Sequence, residues 1–143
     1  MKKRTFAFTL ALCASCHALA DTVESCPSVT SIEKNGYTYM AMTSDGEDTW
    51  LGIGLDDDGG ITKFSSAKFH PAKDSGSRAT VNCSYELGDG DYTDLEFLPR
   101  RPQPALVVDV SIWRQKHDPY GSSYYECTGP SALDCSFDLV RRP

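Results

Sequence analysis

The residues that most resemble a chemical site are three consecutive aspartates at positions 56–58, followed by two glycines. A calcium loop of the EF-hand type places ligands at alternate positions, a glycine at the sixth and a bidentate glutamate at the twelfth. Counted from the first aspartate, these positions hold Ile61 and Ala67, so the pattern fails. The loop is typical of a hairpin between strands at 50–55 and 61–69, with its first two aspartates in solvent. Weak calcium binding here is the alternative; no cofactor and no defined metal site are predicted.

A catalytic site would need a nucleophile with an oriented base, and the chain offers few partners for one. Beyond residues 1–20, two histidines remain: His70, which precedes a proline, and His117, in a turn-like segment. No G-x-S-x-G motif marks a serine nucleophile. Most carboxylates fall on predicted turns, where solvent keeps their pKa values ordinary. Asp109 is the exception, inside an apolar strand, and we expect it to face water. We predict a non-catalytic protein.

The first twenty residues have the three parts of a secretory signal peptide. A basic start is followed by a short apolar run and by an Ala-Leu-Ala cleavage box that ends at Ala20. Processing would leave residues 21–143 as one exported domain, periplasmic or secreted, because no later apolar run approaches the roughly 20 residues of a membrane span. The alternative is a lipoprotein anchored at Cys16, but Cys13 stands where such a signal has leucine.

Four cysteines remain after the signal peptide, and an even number in a short exported chain indicates two disulfides with three possible connectivities. Cys127 and Cys135 flank a turn-rich segment whose ends can meet, so we pair them. Cys26 then pairs with Cys83, which joins the start of the domain to a central strand. A zinc site is the competing use, but these four cysteines lack the C-x-x-C spacing typical of such sites.

The charge of the chain bears on its partners. Without the three basic residues of the leader, 11 of the 14 basic residues remain against 20 acidic ones, so the formal charge changes from −6 to −9. Such a surface repels phosphate backbones, which argues against nucleic acid. It would attract a basic protein partner. The alternative is that the charge only keeps a small domain soluble.

Apolar residues recur mostly with period two, which indicates strands. The segment 78–87 alternates most clearly, with Cys83 on the buried side, and 105–113 is predicted as another strand. Turn signals separate the strands at steps of roughly ten residues. We therefore predict an all-β domain, an antiparallel meander that forms a small barrel or sandwich stabilised by disulfides. The segment 28–34 is predicted to be short and either helical or extended.

The segment 113–127 is the surface most suited to binding, because it is rich in tyrosine, tryptophan and arginine, the types enriched in protein contacts. The candidate partner-binding residues are Trp113, Arg114, His117, Tyr120 and Tyr124. The same mixture suits stacking on sugars, so a carbohydrate-binding module is an alternative. Another is that Trp113 and Tyr125 point inward. Arg100 and Arg101, between prolines, are suited to binding an anion or protecting a strand edge.

Several motifs together resemble a known family. They are "CPSVTSI", "WLG" followed by "ITKFSSAKF", "VNCSYEL", and "YYEC" followed by "DCSF", and they span Cys26 to about Leu139. The chain resembles a family of small exported proteobacterial proteins known only as a domain of unknown function. The resemblance implies an exported, disulfide-bridged β domain and supplies no activity or site residues. Bacterial lysozyme inhibitors are similar in size and in using a disulfide, but without their inhibitory motifs the likeness is one of fold.

Overall fold

The computed structural model describes residues 22–55 and 57–141; the predicted signal peptide and Cys16 lie outside them. The described chain is built from eleven strands and two short 3-10 turns, at Val29–Ser31 and Ala132–Asp134. The strands are β1 Thr22–Ser25, β2 Glu33–Asn35, β3 Thr38–Met42, β4 Thr49–Ile53, β5 Ile61–His70, β6 Thr80–Leu87, β7 Tyr92–Leu98, β8 Ala105–Val108, β9 Arg114–His117, β10 Ser123–Cys127 and β11 Ser136–Val140. Within these residues, no helix is long and apolar enough to cross a membrane.

The strands form two antiparallel sheets, and the all-β prediction is confirmed. Eight strands lie in the order β2-β3-β4-β7-β6-β5-β10-β9, and three in the order β1-β11-β8. The smaller sheet packs on one face of the larger, so the architecture is sandwich-like rather than a closed barrel. In the core, the ring of Trp50 lies 5.2 Å from that of Phe97 and 6.1 Å from that of Phe137. The predicted alternation of β6 is present, with Val81, Cys83 and Tyr85 fully buried.

The predicted hairpin across residues 56–60 is wrong. Strand β4 pairs with β3 and β7, whereas β5 pairs with β6 and β10, so two strands lie between them. Pairing with β7 places Trp50 directly opposite Phe97, and the burial of these rings outweighs the local turn preference. The loop before β5 contacts the turn between β6 and β7 instead, where Gly88 N donates a hydrogen bond to Gly60 O at 2.8 Å. A simple meander is therefore interrupted between β4 and β5.

The disulfides join the pairs that the sequence favoured. Cys26 is bonded to Cys83 across 57 residues, and Cys127 to Cys135 across 8. The first bridge holds the start of the domain against β6, where the buried Tyr85 hydroxyl also donates to Pro27 O at 2.6 Å. Burial raises the pKa of this phenol, so it remains a donor. The second bridge holds the end of β10 against the turn that precedes β11.

The predicted strand at 105–113 is shorter than expected. Strand β8 ends at Val108, and the chain then turns, with the amides of Ile112 and Trp113 both donating to Asp109 O. The Asp109 carboxylate accepts a hydrogen bond from Ser111 N at 2.8 Å, which lowers the pKa of Asp109. As expected, Asp109 is exposed, but it lies in a turn rather than inside a strand. The segment 28–34 combines both predicted states, a 3-10 turn followed by extended β2.

Candidate functional site

The outer face of the eight-stranded sheet carries an apolar patch on β3, β4 and β7. We call it the apolar face and define it by five outward side chains, Met40, Met42, Leu51, Ile53 and Leu98. They are contiguous because Met40 lies opposite Leu51, and Met42 and Leu98 both neighbour Thr49. Met40, Met42 and Ile53 are 44%, 55% and 77% exposed. Grouped apolar side chains of this exposure mark an interaction surface more often than scattered ones do.

The apolar face arises because β3 and β4 are apolar on both sides. Their inward positions supply the buried Tyr39, Ala41 and Trp50, while the alternate positions carry methionine, leucine and isoleucine. Gly52 is an inward position without room for a side chain, since an added Cβ would lie 2.6 Å from Asp94 O. A strand with one solvated face alternates apolar and polar residues. The break in that alternation is the signal in the sequence for a second apolar surface.

Carboxylates surround the apolar face. Glu33 lies opposite Met40, and Glu96 lies opposite Leu51 with Asp94 two residues before it. All three are exposed, and none of the outward residues of β3, β4 and β7 is basic. Negative charge around an apolar centre favours a partner whose contact surface has basic residues at its rim.

The predicted partner-binding residues are dispersed by the structure. Tyr120 lies at the tip of the turn between β9 and β10 and is 94% exposed, while Arg114 and Tyr124 project from the outer face of these strands. His117 projects from the opposite face, with Nδ1 3.2 Å from Ser123 Oγ. The expectation that Trp113 contributes to this surface is wrong. Its side chain is fully buried and donates Nε1–H to Ser136 O at 2.7 Å, so it supports the loop from within.

Tyr124 belongs to a small basic and aromatic cluster at the β5–β10–β9 end of the sheet. Its ring stacks on His70 with centroids 5.7 Å apart, and Lys68 Nζ lies 5.8 Å from the same ring. Lys116 stands opposite Tyr124 on the edge strand. Because its ring already contacts two neighbours, Tyr124 is less available for stacking on a sugar than Tyr120 is. Protein binding by Arg114, His117, Tyr120 and Tyr124 stays a prediction.

The aspartate loop contains a buried polar cluster that the sequence did not indicate. Asp58 is 1% exposed, and its carboxylate accepts hydrogen bonds from Lys34 Nζ and Tyr39 Oη, each at 2.6 Å. Burial alone would raise the pKa of Asp58, but these bonds, with those from the Gly60 and Leu55 amides, hold the pKa well below its usual range. The expectation of an ordinary turn carboxylate is therefore wrong for Asp58.

This cluster bears on the calcium alternative. Asp58 is already paired with the ammonium group of Lys34, whose pKa is raised mainly by that hydrogen bond. A calcium ion using Asp58 would have to displace this cation. Across the residues that the structure describes, no group of three or more His, Cys, Asp and Glu side chains is arranged to hold a metal ion. The arrangement instead joins β2, β3 and the loop before β5.

The comparison with protein families identifies the chain at family level. The family model described as "Protein of unknown function (DUF3757)" matches residues 21–138. The chain belongs to this family, in agreement with the resemblance to an uncharacterised family. No curated protein and no solved structure matches the chain.

Proposed function

We propose that this member of the DUF3757 family is an exported, non-catalytic binding module, inhibitor- or immunity-like, whose apolar face engages a basic protein. The observation that carries the proposal is that five outward apolar side chains lie together on one sheet and are bordered by carboxylates. The two disulfides are compatible with export, because disulfides form and persist in oxidising compartments.

The apolar face supplies the binding energy in this proposal. Covering an exposed methionine or isoleucine side chain contributes roughly 1–2 kcal/mol each, before the losses of association are subtracted. Met40 and Met42 on β3 and Ile53 on β4 extend from strands inside the eight-stranded sheet, where each residue lies in or next to a paired segment. Their backbone is therefore ordered before the partner arrives, which reduces the entropy lost on binding.

Charge determines the kind of partner. Glu33, Asp94 and Glu96 border the apolar face, and the whole chain carries a net charge of −6. Lysine or arginine side chains around an apolar contact would meet these carboxylates, whereas an acidic partner would be repelled. The association rate should fall as salt rises, because the attraction acts over distances that ions screen.

The experiment compares two charge insertions at exposed apolar positions. Ile53→Glu introduces a carboxylate into the apolar face, and Val107→Glu does the same on the outer face of the three-stranded sheet, where Val107 is 48% exposed. Each variant and the wild type are used to capture proteins from an envelope extract. The captured protein is then purified and titrated against all three.

We expect a basic protein that binds wild type and Val107→Glu equally and that loses at least about tenfold in affinity for Ile53→Glu. Binding to all three with equal affinity would contradict the apolar face as the contact. A loss of affinity in the double variant Tyr120→Ala with Tyr124→Ala would instead assign the contact to the β9–β10 loop. Sedimentation of the wild type as a dimer that Ile53→Glu dissociates would assign the face to a second copy and refute the basic partner.

A further inference from the structure

A cleft of about 650 Å³ opens between the loops at 71–79 and 99–106, beyond the end of β7, and includes no residue of the apolar face. Three of its apolar lining residues, Phe69, Ala79 and Leu106, lie on strands or next to them, and we call these three the floor of the cleft. Its rim is polar and continues into a second hollow formed by Ser75, Arg78 and Arg101. A concave apolar floor with a few converging polar groups is the usual architecture of a small-molecule site.

Two arginines define the charge of this cleft. Arg78 and Arg101 come from different loops and line the same hollow. In the part of the chain that the structure describes, neither guanidinium is within ion-pair distance of a carboxylate. A guanidinium group offers several donors in a plane that matches a carboxylate or phosphate.

Neighbouring groups hold the Arg101 segment in position. The Arg100 amide donates to Asp48 Oδ1 at 2.7 Å, and the same buried carboxylate accepts a hydrogen bond from Arg141. The Arg100 side chain is directed to Glu47, 3.8 Å away, rather than to the cleft. Prolines on both sides of this pair of arginines restrict the backbone further. The cleft wall is therefore set by the fold.

One carboxylate also lines the cleft. Asp74 accepts hydrogen bonds from the amides of Gly76 and Ser77, at 2.9 and 2.8 Å, and these bonds lower its pKa. Its charge is directed into its own turn and is partly compensated by these donors. The two arginines outnumber it, so the rim keeps an excess of positive charge.

We propose that this cleft binds a small amphipathic anion, with a carboxylate or phosphate group between Arg78 and Arg101 and a short apolar body on the floor at Phe69 and Leu106. The site is separate from the apolar face and does not depend on the proposed protein partner. The anionic group supplies charge-assisted hydrogen bonds, and the apolar body excludes water from around them.

The experiment uses the folded, disulfide-bridged protein and isothermal titration with octyl phosphate, octanoate, octanol and inorganic phosphate. We expect octyl phosphate or octanoate, or both, to bind at least about tenfold more tightly than octanol and inorganic phosphate. Binding of only one of the two anions would identify its group as the preferred one. Arg101→Gln should weaken that binding about tenfold, while the matched control Arg100→Gln, one residue earlier, should leave it unchanged.

The proposal fails if octanol binds as tightly as the anions, since the arginines would then have no role. It also fails if inorganic phosphate binds as tightly as octyl phosphate, since the apolar floor would contribute nothing. Equal weakening by Arg100→Gln and Arg101→Gln would show a general charge effect and would likewise refute the site. Ile53→Glu should bind the anion like wild type, which separates this test from that of the protein partner.

Discussion

The two disulfides differ most in the length of chain that each encloses, and removing them one at a time measures that difference. The paired variants are Cys26→Ala with Cys83→Ala, and Cys127→Ala with Cys135→Ala. The bridges close loops of 57 and 8 residues. In the chain-entropy treatment, these loops correspond to about 4.2 kcal/mol and about 2.5 kcal/mol of stabilisation. All four half-cystines are at most 2% exposed, so the packing lost on replacement is similar in both variants.

The expected result is that the long bridge contributes about 1.7 kcal/mol more to the free energy of unfolding than the short one. Urea unfolding of each oxidised variant, followed by the fluorescence of the buried Trp50 and Trp113, measures this quantity. The dependence of the unfolding free energy on urea concentration should also become steeper in both variants, because the unfolded chain becomes more expanded. Equal losses, or a larger loss for the Cys127–Cys135 pair, would refute the loop-length reasoning.

Three further predictions concern the interior. The pKa of Asp58 is lower in the folded state than in the unfolded chain, so its charge stabilises the folded state above the unfolded pKa of about 4, and this contribution is lost as pH falls below it. The difference in unfolding free energy between wild type and Asp58→Asn should therefore narrow below about pH 4 in acid titrations, and a constant difference would contradict the pairing. Gly54→Ala should destabilise by about 1–3 kcal/mol, because its Cβ would lie 2.5 Å from Asp58 Oδ2 and the Tyr39 ring, and an unchanged melting temperature would refute that contact. Trp113→Phe should lose about 1–3 kcal/mol with the hydrogen bond to Ser136 O, and a loss below 0.5 kcal/mol in urea unfolding would show the bond to be dispensable.

The sequence predicts those features of the fold that depend on local pattern or on counting. The alternation of β6 is visible because every second residue is polar, and the disulfide pairing follows from a short turn-rich segment between Cys127 and Cys135. The extent of β8 was overestimated, because the apolar residues after Asp109 continue the period of a strand while the carboxylate itself stabilises a turn.

Features that depend on contacts distant along the chain were not predictable. Strand β4 pairs with β7, which places Trp50 opposite Phe97, and no local sequence pattern indicates this pairing. Asp58 has the sequence context of an exposed loop aspartate, and its buried ion pair depends on Lys34, 24 residues earlier in the chain. The apolar face was not predicted for a related reason: the apolar pattern of β3 and β4 does not tell which side of the sheet is covered, and only the strand pairing shows that Ile53 faces outward.

The most direct test of the proposed function is a methyl NMR titration of the protein with the purified basic partner. The methyl signals of Met40, Met42 and Ile53 should shift or broaden on binding, while those of Val107, on the three-stranded sheet, should stay in place. Unchanged methionine and Ile53 signals in a saturated complex would contradict the claim that the apolar face is the contact surface.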